Sequence, residues 1–438
     1  MSKHDADVIV VGAGFSGLSA ALALRAKGLD VIVLEARNRV GGRVEAVTSV
    51  DGDRFDAGGQ FVCDDMPEIM ALVRRHGRTL LPAPVDGRFL MQPPLSEREA
   101  DGVFAGSSAI RERVKGTDPG DPAIAGLTVA AWLHQEADPP AAKHAFQSLV
   151  EGLWCRPIAE IPLWYLIDND RRITNAVTEL QYFLGDTLHG LAEELAAGLA
   201  DRLVLDAPVT RIARLSQGVE IDSAKGRFTA RQVIVAVPPV MASRIIHEPP
   251  LPSALAQAFS AWRSGTVIKI RIRYARRFWR DAGLSGMVMW RDLHGLFVCD
   301  VSPSDDAAAL VVFIGGPLAV DWSHSGKHRL RDMVMQRLVP ALGELAADPL
   351  DFAVRDWIND PWSGGGYSDV VTDMEATDAE AVIRAGEPPL HFASSELSPS
   401  FPGYVEGAII AGRRAAVGVI AELANQLQSA KATSASGS

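Results

Sequence analysis

Asp7-Val-Ile-Val-Val-Gly12-Ala-Gly14-Phe-Ser-Gly17 decides the fold of this chain. Asp7 to Val11 is a short, mostly β-branched apolar run with no polar alternation, the pattern of a strand buried on both faces. Three glycines follow at GxGxxG spacing, then a helical pattern through Lys27 that Gly28 ends. Asp30 to Leu34 reads as a second buried strand, so the whole is a βαβ unit with a parallel strand pair. In such a unit Gly12 makes the tight turn, Gly14 lets backbone approach a pyrophosphate, and Gly17 lets the helix pack on the strand. The helix N-terminus offers N–H groups and a positive dipole end to the phosphates. Glu35 ends the second strand about 20 residues on, where a carboxylate can bind ribose hydroxyls. Nucleotide binding is the expectation and an ordinary βαβ turn the competing reading. The glycines alone do not separate NAD from FAD.

The stretch Glu35-Ala36-Arg37-Asn-Arg39-Val-Gly41-Gly42-Arg43 adds three arginines and a glycine pair. Arginines there can neutralise a pyrophosphate, and a Gly-Gly turn admits an extended cofactor; a solvated loop is the alternative. A second pair stands in Asp56-Ala-Gly58-Gly59-Gln60-Phe61. Arg202 to Asp206, Gln232 to Val237 and His391 to Glu396 read as further strands. Thr266 to Tyr274 alternates, with Val267, Lys269, Arg271 and Arg273 on one face and Ile268, Ile270 and Ile272 on the other. That suits a partly exposed antiparallel sheet, and spacing alone places Lys269 on an exposed face. The region from about 85 to 185 is rich in helical patterns and prolines. A glycine-rich helix is expected from Tyr404 to about Leu427, followed by a small, polar, disordered tail. Trp362-Ser-Gly-Gly-Gly-Tyr-Ser-Asp369 sets Tyr367 directly after three glycines.

The 438 residues suit two or three domains, and the 47% hydrophobic content supplies a large core. A net charge of −11 argues against a nucleic-acid or anionic-membrane partner. The N-terminal stretch lacks the pattern of a signal peptide, and no apolar run reaches the roughly 18 residues of a membrane span. Cys63, Cys155 and Cys299 are scattered, with neither disulfide nor zinc spacing, so no metal is expected. A cytoplasmic protein with no membrane partner is the simplest expectation.

"VIVVGAGFSGLSAALAL", "VIVLEARNRVGGRV" and "DAGGQFV" resemble the opening of the flavin-dependent amine oxidases, the family of monoamine and polyamine oxidases. "QVIVAVPP", "SGTVIKIRIRYARRFWR", "DPWSGGGYS" and "HFASSELSPSFPGYVEGAIIAGRRAA" resemble later blocks of that family, in family order, from about residue 6 to 420. The resemblance implies an α/β plus α+β architecture: a Rossmann-type FAD-binding domain with a discontinuous substrate domain of mixed sheet and helices, monoamine oxidase-like. The expected FAD-binding parts are 1–84, 185–258 and 361–428. The substrate parts are 85–184, helical, and 259–360, with a disordered tail at 429–438. It implies FAD contacts at Gly12, Gly14, Ser16, Gly17, Glu35, Ala36, Arg37, Gly42, Arg43, Gly58, Gly59, Gln60, Phe61, Val209, Glu396 and Val405. Ser394-Ser395 depart from the family, where glycine with threonine or another small residue is usual.

The same resemblance gives Lys269 the role of holding a water near flavin N5. It makes Tyr367 and Tyr404 an aromatic pair in front of the flavin, with the last helix directing its positive end at the ring. The implied reaction is hydride transfer from the alpha carbon of a neutral amine to flavin N5. Imine hydrolysis to a carbonyl product and reoxidation by O2 to hydrogen peroxide follow. Gly366 stands where some monoamine oxidases carry a flavin-bonded cysteine, so FAD is expected without a covalent link. Gly58-Gly59-Gln60-Phe61 lacks the arginine that amino-acid oxidases commonly place there. Glu179 and Tyr182, in "ELQYF", are expected in the substrate pocket by rough alignment, against the alternative of a surface helix. An L-amino-acid oxidase or a desaturase on the same scaffold, an NAD-dependent dehydrogenase, and a non-catalytic FAD-binding protein are the rival readings. The expected partners are a small amine and O2; oligomeric state is open, a homodimer being one arrangement.

Overall fold

The computed structural model describes residues 4–436. The chain forms two compact units, each built from separated segments: residues 1–42, 191–261 and 378–438 in the first, 43–190 and 262–377 in the second. The sequence placed 43–84 and 361–377 with the cofactor-binding part. Compactness groups them with the second unit, because the strand Asp369–Val371 pairs with Trp262–Ser264 and carbonyls of residues 56 and 58 hold Lys269.

The first unit is organised by one sheet. Its strand order is Ile246–Glu248, Val209–Arg214, Val219–Ser223, Gly226–Val235, Ala6–Val11, Val31–Leu34, Leu203–Val204, with Leu390–Phe392 also paired to Gly226–Val235. Ala6–Val11 runs parallel to both neighbours, with Val10 opposite Val33 on one side and Ile234 on the other. Val8, Ile9 and Val10 are fully buried, as the unbroken apolar run requires. The expected strand at 202–206 shrinks to Leu203–Val204 after a 3-10 turn, Ala200–Arg202, because Asp206 turns the chain at φ +53°. The expected strand at 391–396 ends at Phe392, and a 3-10 turn, Ser395–Leu397, follows. The last helix is Val405–Ser436, longer than expected. The final two residues of the expected tail lie outside the described residues. No helix among the described residues is long and apolar enough to cross a membrane.

The second unit holds a six-stranded sheet in the order Asp351–Asp356, Val267–Tyr274, Ala308–Gly315, Leu296–Asp300, Leu284–Trp290, Arg88–Gln92. Val267–Tyr274 is antiparallel to both neighbours, as its alternation predicts. Its isoleucine face is fully buried in the unit's main apolar core with Trp279, Val298 and Val312. The stretch from 85 to 185 is largely helical: Glu97–Gly116, Val129–Gln135, Pro140–Trp154 and Leu163–Arg172. The first of these starts with a capping box in which Ser96 Oγ accepts from Glu99 N–H and Glu99 accepts from Ser96 N–H. Arg88–Gln92 and Tyr182–Leu184 are strands that the helical patterns concealed. Glu179 stands in a turn rather than on a surface helix.

Candidate active site

In the first unit the glycine turn is built for close approach. A Cβ on Gly17 would lie 1.9 Å from the Gly12 carbonyl oxygen, so any side chain there pushes the helix off the strand. Gly14 differs: a Cβ there meets no atom nearer than 3.9 Å, and its φ is an ordinary −71°. The turn therefore needs glycine at 14 only if something outside the chain approaches it. The helix Phe15–Arg25 starts at Gly14 with no side-chain cap and no acidic residue in its first turn, which leaves its positive end open to an anion. Ser16 Oγ donates to the Ala408 carbonyl at 2.9 Å, and a Cβ on Gly412 would lie 2.1 Å from the Ser16 carbonyl oxygen. The small residues of the last helix thus let it press against the nucleotide-turn helix.

Glu35 is buried, and its carboxylate accepts from Ala13 N–H at 2.7 Å and Arg37 N–H at 2.9 Å. Burial raises its pKa; the two N–H bonds and Arg37 and Arg39 pull the other way. Each oxygen keeps a lone pair for a ribose hydroxyl. Ala36 and Arg37 follow it, half-buried, and Val209 begins the strand Val209–Arg214. Arg39 Nη1 donates to the Val40 and Gly42 carbonyls and braces the first glycine pair. At the C-terminal motif Glu396 is buried and accepts from Ser395 Oγ at 2.9 Å. Ser394 Oγ is buried with no hydrogen-bond partner among the described residues. A buried hydroxyl left in that state is costly, and a polar ligand beside it relieves the cost. Tyr404 precedes the helix that Val405 begins, its half-buried ring edge-on to Phe401 with centroids 5.8 Å apart. Open glycine turn, uncapped helix start, buried carboxylate and orphaned hydroxyl together fit a dinucleotide such as FAD.

In the second unit the structure corrects the exposed reading of Lys269. The side chain is 4% exposed, because the segment from 51 to 60 covers the cationic face of its strand. Arg273 pairs with Asp51 and Asp53, Arg271 lies near Asp53, and Arg271 stacks on Phe55. Lys269 Nζ donates to the carbonyls of Asp56 at 2.8 Å and Gly58 at 2.7 Å, and to Gln60 Oε1 at 2.8 Å. Burial drives its pKa down, and the facing Asp56 carboxylate opposes that shift. Asp56 is itself buried, and burial raises its pKa; N–H donors from Leu188 and His189 and the Lys269 charge act against this. A water-sized cavity of about 30 Å³ lies beside this pair, lined in part by Asp56, Ala57, Lys269 and Arg271.

Aromatic rings flank the lysine. Phe313, its partner in the neighbouring strand, has its ring centroid 5.6 Å from Nζ. Tyr367 meets Phe313 edge-on at 5.8 Å, Phe61 lies 6.4 Å from it, and Phe297 stacks at 6.5 Å. The glycine run sets Tyr367 in place. A Cβ on Gly365 would lie 2.1 Å from the Gly265 carbonyl oxygen, and Gly366 N–H donates to that oxygen at 3.0 Å. The loop's other end is held by Asp360, which accepts from Trp362 N–H, Ser363 N–H, Ser363 Oγ and Arg355. Arg43 Nη1 donates to the Tyr367 carbonyl at 2.9 Å. Thus Lys269, Gln60, Phe61, Arg43 and Tyr367 come together in this unit. Tyr182 pairs through its backbone with Val62, the neighbour of Phe61, by two hydrogen bonds of 2.9 Å, and its hydroxyl donates to Asp64 at 3.3 Å. Asp56 was in view in the sequence as a flank of the glycine pair, but not as the lysine's counter-charge. Phe313 carries no sequence signal of its role, since strand register alone sets it opposite Lys269.

The first unit carries an open glycine turn and the second a buried lysine among aromatic rings, and comparison with known proteins gives the family. The profile of the family described as "Flavin containing amine oxidoreductase" matches residues 15–96 and 126–420. The chain belongs to this family and is a flavin-dependent oxidoreductase. It is 29% identical to L-amino acid dehydrogenase of Synechocystis sp., over 94% of each chain. It is 30% identical to putrescine oxidase of Kocuria rosea, over 94% of this chain and 95% of that one. Among solved structures, cyclohexylamine oxidase from Brevibacterium oxydans superposes with a TM-score of 0.88 at 27% identity, covering 96% of this chain and 99% of that one.

Proposed function

We propose that this chain oxidises small amines with non-covalently held FAD and passes the electrons to oxygen. The observation that carries the reading is the buried Lys269 ammonium beside half-buried aromatic rings, in a chain that also carries a dinucleotide cradle. When bound, the flavin supplies the two-electron oxidation of the carbon next to the amine nitrogen, and the imine then hydrolyses to a carbonyl compound. The protein's own residues bind, orient and exclude water. Gly12, Gly14, Ser16 and Gly17 hold the pyrophosphate, Glu35, Ala36 and Val209 the adenosine. Arg37, Gly42, Arg43, Gly58, Gly59, Gln60, Phe61, Glu396 and Val405 hold the rest of the cofactor. Lys269 orders a water near the reacting centre, and Tyr367 and Tyr404 orient the amine. Apolar rings such as Phe313 disfavour the charged ammonium and so favour the neutral amine that reacts. The last helix would offer the positive end at Val405 to negative charge developing on a bound flavin, an effect on the order of 1 kcal/mol.

A peroxide assay across primary amines, diamines and L-amino acids tests this. Peroxide with amines and none with amino acids is the expected result. Turnover of amino acids alone, with an artificial acceptor and no peroxide, would instead favour a dehydrogenase reading, which the Synechocystis relative motivates.

Non-covalent attachment rests on Gly366, which has no side chain to bond the flavin; even a Cβ there would lie 3.1 Å from Val267 Cγ1. Acid precipitation of the yellow protein is expected to release all colour to the supernatant. Colour retained in the washed pellet would show a covalent link.

A further inference from the structure

Lys269 has three N–H donors as an ammonium, and the protein takes all three. A lysine in that state has no donor left for a water. Two of its acceptors are backbone carbonyls that cannot move away. Ala57 and Gly58 N–H both donate to the Glu45 carbonyl, at 2.7 and 3.1 Å, and Gly59 N–H donates to the Arg43 carbonyl at 3.1 Å. Trp357 Nε1 donates to the Ala57 carbonyl at 3.1 Å, between the two that hold the lysine. A Cβ on Gly58 would lie 2.1 Å from the Arg43 carbonyl oxygen, so the two segments are in direct backbone contact. The third acceptor, Gln60 Oε1, is carried by a half-buried side chain whose own torsions, rather than the backbone, set its position.

We propose that Gln60 is the positioning residue of Lys269: its amide oxygen holds the third N–H at rest and gives that bond up to the water or amine with which the lysine works. This rests on the reading that Lys269 acts at the flavin. An amide suits the task because it accepts without adding charge. A carboxylate in its place would add an ion pair to that hydrogen bond and release the ammonium poorly. An apolar residue would leave the lysine with a permanently open donor.

The titratable groups facing Lys269 are Asp56 from the strand Arg54–Asp56 and Cys299 from Leu296–Asp300. Arg355 is its strand partner on the other side, and Arg54 and His189 approach Asp56. None of them changes when Gln60 is replaced by leucine, so a shift in the lysine's titration in that variant reports the Gln60 bond.

The test uses full-length protein containing 13Cε-lysine, with the Lys269 resonance assigned by its loss in Lys269→Met. Its titration midpoint is expected to fall by about one pH unit in Gln60→Leu, which loses a bond to the charged form, and to rise by a similar amount in Gln60→Glu. Turnover at a fixed pH is expected to slow in Gln60→Glu and to recover as pH rises through the new midpoint. Unchanged midpoints in both variants would overturn the proposal. If Gln60→Leu does not fold, Gln60→Met, which keeps the length of glutamine but has no amide oxygen, decides the matter alone. Should Lys269→Met turn over at the native rate, the failure lies with the role of the lysine. Should the midpoints stay put while Lys269→Met is slow, it lies with Gln60.

Discussion

Lys269→Met is expected to slow amine turnover roughly 100-fold, the usual scale for losing one positioned proton-handling group. Methionine matches the lysine stem in length and tolerates an apolar site. It leaves three acceptors, the Asp56 and Gly58 carbonyls and Gln60 Oε1, without the donor they share. Each buried acceptor left bare costs about 1–3 kcal/mol, offset by no longer burying a charge. The variant is therefore expected to fold less stably but to keep its flavin, because the glycine turn and Glu35 are untouched. Yellow colour with an unaltered absorption spectrum and slow bleaching on mixing with amine is the expected outcome. Full-rate bleaching would remove the lysine from the mechanism and favour a site that only binds flavin.

Gly14→Val is expected to give a folded, colourless protein. The protein itself has room at this position, with no atom nearer than 3.9 Å to a Cβ and an extended backbone that any residue adopts. The branched side chain instead fills the space through which a pyrophosphate reaches the start of the helix Phe15–Arg25. Each lost increment of about 1.4 kcal/mol in that contact is about tenfold in affinity, so a steric overlap of several kcal/mol removes binding at working concentrations. Gly17→Val is the contrast: its Cβ would lie 1.9 Å from the Gly12 oxygen, so the βαβ unit itself must distort and soluble yield falls. Circular dichroism and flavin absorbance separate the two. A Gly14→Val protein that purifies yellow would place the cofactor away from this turn.

Short-range spacing settled much of this protein. The residues from Asp7 to Glu35 specify strand, turn, helix, strand and carboxylate through steric and periodic rules that act within one βαβ unit. The shared face of Val267, Lys269, Arg271 and Arg273 was legible for the same reason, since side chains on a strand alternate whatever lies above them. What covers that face was not. The carbonyls that hold Lys269 belong to residues more than 200 positions earlier, and the ring beside it, Phe313, is there by strand register. Neither leaves a periodic trace in the sequence. Desolvation of the lysine, the counter-charge of Asp56 and the unequal freedom of its three acceptors follow from that coverage. The compact units differ from the expected parts for a related reason: the segment around Gly58 and the glycine run before Tyr367 look like cofactor motifs, yet their backbone hydrogen bonds run to Arg43, Glu45 and Gly265 of the second unit. Sequence determined which residue types stand ready for the chemistry; only the tertiary contacts decided that Lys269 is buried and which of its partners can let go.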